Sequence, residues 1–199
     1  MAVGSAHAQT LPDAPEPRAR AAAAIDMPKR YADALAAWRT PEDVARFIDA
    51  SFVYDRDRAL ALAERPDARA PRPAIHAPEA MFERPQGVCI DLARFGAETL
   101  NRIDAGYGAR YVMIEFDPVV IDGRSLRRHW VATFRREGKL WVFADSRRPG
   151  HVAGPYDDVD AFIADYARYR GQRIVASRET DTFLRVQRTA RATQATRTP

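Results

Sequence analysis

Cysteine is almost missing from this chain: Cys89 stands alone among 199 residues. An internal disulfide is therefore excluded, and a lone cysteine is either a small buried hydrophobe or a reactive thiol. Histidine is scarce too. His76, His129 and His151 are scattered, with no paired spacing and no second cysteine beside them, so the sequence carries no metal-ligand pattern, and neither a metal nor another cofactor is expected. The ten glycines never form a phosphate-cradling loop. No apolar run is long enough for a membrane-spanning helix, and no internal repeat is visible.

An excess of one charge is missing where it would matter. The formal net charge is +4. Residues 187–199 hold three arginines (Arg188, Arg191, Arg197) and no acid, and residues 1–30 carry one net positive charge, which leaves residues 31–186 balanced. A nucleic-acid binder concentrates basic charge on a folded face. A nucleic-acid partner is therefore not expected.

What is present suits one globular domain. The hydrophobic fraction is 46% and the aromatic fraction 10%, both ordinary for a folded protein of this length. Residues 1–30 read as a disordered tail or a signal-peptide remnant. Leu11-Pro12-Asp13-Ala14-Pro15-Glu16-Pro17 is punctuated by proline, and an alanine-rich stretch follows. Ala6-x-Ala8 has the small-residue pattern of a signal-peptidase site, without an apolar stretch before it. Two explanations fit: a start inside a longer signal peptide, or chance in an alanine-rich segment. The expectation is a periplasmic or secreted protein, with a cytoplasmic one as the alternative. Residues 187–199 read as a disordered basic tail.

Between the tails the periodicity is legible. Thr40-Pro41-Glu42-Asp43 is a helix start, with a capping threonine, proline at the first helical position and acids in the first turn. Val44, Phe47, Ile48 and Phe52 then share one face. Four prolines make residues 65–78 a long loop. A second helix begins near Gly87, with Val88, Leu92, Phe95, Thr99 and Ile103 as its stripe. Residues 101–108 form its exit turn. Residues 110–116 read as a strand, Asp122-Gly123 as a turn, and residues 129–135 and 140–145 as a hairpin around Glu137-Gly138. Residues 157–170 read as a helix, 173–177 as a strand, and 182–186 as a further strand. Helices first and antiparallel strands after them define the α+β class.

Three residues in that frame carry chemistry. Cys89 lies in the first turn of its helix, where unpaired backbone N–H groups and the helix dipole favour a thiolate, and beside the apolar stripe, so a half-exposed thiol of lowered pKa is expected. His129 opens a strand. A three-residue hairpin loop, Arg136-Glu137-Gly138, pairs Arg135 with Lys139 and so sets Asp145 opposite His129 on one face. There the carboxylate would fix the imidazole tautomer. A one-residue change in loop length would send Asp145 to the other face. Asp91 reads as a helix N-terminal stabiliser, and the run Arg124, Arg127, Arg128 as a solvated loop. Tyr156, Tyr166 and Tyr169 read as core.

The same residues carry a resemblance. Gly87-Val88-Cys89-Ile90-Asp91-Leu92-Ala93 resembles the nucleophile motif of the transglutaminase-like (papain-like) superfamily. Gly108-Ala109-Arg110-Tyr111-Val112 resembles its helix-to-strand passage. His129-Trp130-Val131 resembles its histidine strand, and Leu140-Trp141-Val142-Phe143-Ala144-Asp145-Ser146 its aspartate strand. The match runs in the family's order over residues 82–149. It implies a papain-like core with the cysteine helix on an antiparallel sheet, and a catalytic domain over residues 31–186. It also implies a cysteine-dependent peptide or isopeptide hydrolase working through an acyl-thioester, with Cys89, His129 and Asp145 as the triad and a protein or peptide as substrate. The alternatives are a catalytically silent binding domain and acyl transfer to amines. No tryptophan lies between Trp38 and Trp130 to act as an indole oxyanion donor, and the calcium-binding insertions of the animal cross-linkers have no room here. The resemblance is thus nearer the bacterial transglutaminase-like cysteine proteinases, with the Cys89 backbone N–H and Gln86 as oxyanion candidates.

Overall fold

A computed structural model describes residues 11–17, 28–63 and 73–181. The expected strand at 182–186 and the basic tail lie outside the described residues. The architecture is α+β. Helices α1 (Tyr31–Ala37), α2 (Pro41–Ser51), α3 (Arg56–Leu62), α4 (Pro78–Glu83) and α5 (Cys89–Ile103) come first, with two short strands, β1 (Val53–Tyr54) and β2 (Gln86–Gly87), among them. Strands β3 (Arg110–Ile121), β4 (Arg124–Arg136), β5 (Lys139–Phe143) and β6 (Ala153–Tyr156), helix α6 (Val159–Arg170) and strand β7 (Ile174–Thr180) complete the fold. The large sheet has the order β6-β5-β4-β3-β7, antiparallel throughout. Among the described residues no helix is long and apolar enough to cross a membrane.

Local sequence explains the element ends. Thr40 Oγ1 accepts from Asp43 N–H while the Asp43 carboxylate accepts from Thr40 N–H, a reciprocal capping box with Pro41 behind it. Gly108, at φ 53°, gives the left-handed exit between α5 and β3.

The sheet is covered on both faces, and strand alternation sorts the two cores. Trp130, Ala132, Phe134 and Phe143 lie against the α5 side with Leu92, Phe95 and Leu100. Val112, Ile114, Val131, Leu140 and Val142 lie against α6, under Phe162 and Tyr166. A third apolar cluster joins Leu11, Ala59, Leu60, Val88, Ile121 and Leu126. Leu11 belongs to the stretch expected to be disordered. Residues 11–17 are instead held against the domain, because Leu11 has an apolar pocket and Asp13 and Glu16 have hydrogen-bonding partners.

The arginine run also departs from expectation. Arg124, Arg127 and Arg128 lie in β4, not in a solvated loop. Glu115, opposite Arg128 in the register, takes ion pairs from Arg127 (3.3 Å) and Arg128 (3.7 Å), so the charges are matched across strands.

Candidate active site

The hairpin sets the site, by a different route from the one the sequence suggests. Arg136 pairs with Lys139, so the turn is two residues, Glu137-Gly138, both at positive φ (54° and 74°). This is the type I′ geometry whose twist suits a tight hairpin. The ladder is shifted by one from the expected register, and its continuation would set Asp145 opposite Trp130, on the wrong face. The strand does not continue. β5 ends at Phe143, and Ala144 turns left-handed (φ 55°), which swings Asp145 back under β4. Asp145 Oδ1 lies 2.9 Å from His129 Nε2.

That carboxylate is well held. Arg147 N–H donates to Asp145 Oδ1 at 2.8 Å, and the Tyr166 hydroxyl donates to Oδ2 at 3.2 Å. The Tyr166 ring also stacks on the His129 imidazole at 5.9 Å and 11°. Burial raises the Asp145 pKa. The His129 ring, its hydrogen bond, the Arg147 N–H and the Arg148 charge outweigh that, and the net value lies below the ordinary carboxylate range. His129 is fully buried, and its Nδ1 has no hydrogen-bond partner.

Cys89 opens α5, directly after β2, in a first turn fixed by Asp91. The Asp91 carboxylate accepts from the Val88 N–H (3.1 Å), from the His76 N–H (2.9 Å) and from Arg58 Nε and Nη2 (2.6 and 2.8 Å). Asp91 is therefore a structural anchor of the cysteine turn.

The thiol is neither half-exposed nor of lowered pKa. Cys89 is 5% exposed. Burial pushes its pKa well up, and Asp13 adds to this by its charge and by accepting a hydrogen bond from the thiol. The Trp130 N–H works the other way but loses. In this conformation the surroundings favour the neutral thiol.

Asp13 is the residue that sequence reasoning missed. One ligand-type atom each from Asp13, Cys89 and His129 lies within 4.8 Å of the others, a buried grouping of the kind able to hold a metal ion. No spacing rule finds it, because the three residues come from the N-terminal segment, a helix and a strand. Tyr166, read as core, is core and also touches both His129 and Asp145. Gln86 lies just upstream of Cys89 in β2, and its side-chain amide donates to Asp55 Oδ2 at 3.1 Å.

This arrangement suits nucleophilic chemistry. A thiol and an imidazole stand together at a helix start, with the far ring nitrogen bonded to a buried carboxylate. The profile of the transglutaminase-like domain family matches residues 26–167. No curated protein matches the chain. The matched span covers most of the chain and contains α5, the hairpin and Asp145, and the chain belongs to the transglutaminase-like domain family.

Proposed function

We propose that the protein is a cysteine-dependent amide hydrolase acting on peptide or isopeptide bonds, with Cys89 as nucleophile, His129 as base and Asp145 as the group that orients His129. One observation carries this reading: Asp145 occupies His129 Nε2, so the unpartnered Nδ1 is the nitrogen left for the nearby thiol. The Cys89 thiol passes its proton to Nδ1, and the thiolate attacks the amide carbonyl carbon. The tetrahedral adduct collapses, the amine leaves with the proton from His129, and an acyl-thioester remains. Water, deprotonated by His129, then releases the acid and restores the thiol. The Cys89 backbone N–H, in a first turn without an intrahelical acceptor, is a donor for the oxyanion.

The test is the rate of Cys89 alkylation by iodoacetamide from about pH 4 to pH 10, in the protein and in His129→Ala. Alkylation samples only molecules in which the thiol is exposed, so the profile reports the exposed thiol. The expected result is a reactive component below about pH 7 that His129→Ala removes. Identical profiles would overturn the reading. Products formed with a peptide substrate and an added primary amine then separate hydrolysis from acyl transfer, since only transfer yields a stable amine adduct. The burial of Cys89 under Asp13 favours a second reading, a catalytically silent binding domain, and an exposed thiol with an ordinary titration near 8.5 would support it.

A further inference from the structure

Residues 11–17 cross the site as a strap that turns at its start, where the Ala14 N–H donates to the Leu11 carbonyl (3.0 Å), and runs on to Pro17 without helix or strand. The fold grips it by its backbone. Three bonds go to the strap backbone. Ser146 Oγ donates to the Asp13 carbonyl (2.6 Å), Arg147 Nη1 donates to the Pro12 carbonyl (2.8 Å), and Glu16 N–H donates to the Arg147 carbonyl (2.9 Å). Such bonds are indifferent to side-chain identity and hold a bound chain by its backbone. Ser146 and Arg147 follow Asp145 directly, so the groove wall continues the proposed triad.

The strap's side chains fill places of distinct chemistry. Leu11 is 1% exposed, in an apolar pocket with Leu60, Val88, Ile121 and Leu126. The Asp13 carboxylate lies within 4.8 Å of the thiol and accepts from the Tyr54 hydroxyl at 2.6 Å. Glu16 accepts from Arg147 Nη2 (2.8 Å) and from the Tyr169 hydroxyl (2.6 Å). Beside Glu16 and Pro17 lies a cleft lined by Asp49, Arg147, Arg148 and His151. Pro12, Pro15 and Pro17 restrict the strap's backbone and lower the entropy lost on seating it.

We propose that residues 11–17 are a resident occupant of the substrate groove, holding the enzyme closed, and that the substrate is a peptide with an apolar residue for the Leu11 pocket and an acidic residue for the Arg147–Tyr169 end. The inference rests on the proposal that Cys89 is the nucleophile. Being part of the same chain, the strap competes at a high effective concentration, so it excludes a free peptide until it is displaced or removed. Its departure uncovers the thiol and withdraws the Asp13 carboxylate from it in one step.

The experiment uses the full chain and reads Cys89 alkylation by iodoacetamide at a fixed pH of about 8. Leu11→Asp places a charge in the apolar pocket and should speed alkylation by about tenfold or more by favouring the open state. A synthetic heptapeptide of residues 11–17, added in trans, should slow the variant back toward the parent rate. The same peptide carrying Glu16→Lys should protect less. An unchanged rate in Leu11→Asp overturns the strap, absence of protection by the heptapeptide overturns the groove, and equal protection by both peptides overturns the acidic preference. Should Leu11→Asp lose its cooperative unfolding transition, Glu16→Lys in the chain, which removes the strap's own bonds to Arg147 and Tyr169 and leaves the groove wall intact, makes the same comparison. Adding His129→Ala to the opened variant separates the two proposals. Faster alkylation with a pH profile indifferent to His129 leaves the strap standing and removes the triad. A profile that depends on His129, with no gain from opening, does the reverse.

Discussion

Gly96→Ala tests the contact that joins the cysteine helix to the aspartate strand. Gly96 lies in α5, where a methyl group would stand 2.7 Å from Ala144 Cβ, 3.2 Å from Phe143 Cζ and 3.4 Å from Ala132 Cβ. Carbon atoms rest about 3.5–4.0 Å apart, so the helix and the strand must separate by roughly 1 Å. A Cβ atom has no rotamer by which to swing aside, and Ala144 is fixed in the left-handed region at φ 55°. Alanine is favoured over glycine in a helix interior by about 1 kcal/mol, while overpacking a core costs about 1–3 kcal/mol. The net expectation is a loss of about 1 kcal/mol, read as a lower urea midpoint at unchanged slope. The second half of the cycle is sharper. Ala144→Gly removes the opposing methyl and relieves the positive φ, which costs an L-residue about 1–2 kcal/mol. The double variant should recover the parent's stability, with a coupling of about 1–2 kcal/mol. Gly96→Ala at parental stability, or additive effects in the double variant, would refute the argument.

Other outcomes follow from the same contacts. Arg58→Ala strips two charge-assisted bonds from the fully buried Asp91 and should cost about 3 kcal/mol in urea unfolding; a loss below about 1 kcal/mol would show that Asp91 does not depend on it. Thr40→Ala removes the capping oxygen of α2 and should cost about 1 kcal/mol, checked by thermal unfolding. Asp145→Asn should destabilise the protein near neutral pH. The folded carboxyl titrates below its ordinary 3.8, so its contribution is complete above that value and fades as pH falls toward the lower folded pKa. The gap between parent and Asp145→Asn should therefore narrow between about pH 5 and pH 3, and a gap of constant size would contradict the assignment.

The α+β class, the cysteine helix and the strands on either side of Glu137-Gly138 were legible because each rests on local periodicity. Register was not. Gly138 at positive φ fits both a two-residue and a three-residue hairpin, and what decides between them is Glu137, a non-glycine residue at φ 54° that no sequence rule marks. The expected register is off by one, yet Asp145 still meets His129, because Ala144 ends the strand with a second unmarked left-handed residue. Two departures from local preference thus cancel in the position of one carboxylate. The second is held by surroundings that sequence windows do not contain, with α5 closing on Ala144 through Gly96. Arg127 and Arg128 were misread for a related reason: charge reads as solvent until Glu115 is known to lie across the ladder. Asp13 is the fullest case. Prolines and the lack of any apolar stripe make residues 11–17 look unfolded, and by local criteria they are, since they form no helix or strand. Beyond one turn bond of their own, from the Ala14 N–H to the Leu11 carbonyl, their order comes from elsewhere: Tyr54, Ser146, Arg147 and Tyr169 supply the remaining bonds. A proline-rich segment that forms no helix or strand of its own leaves most of its backbone carbonyls free for a groove, so the signal that argues against a fold is also the signal of an occupant.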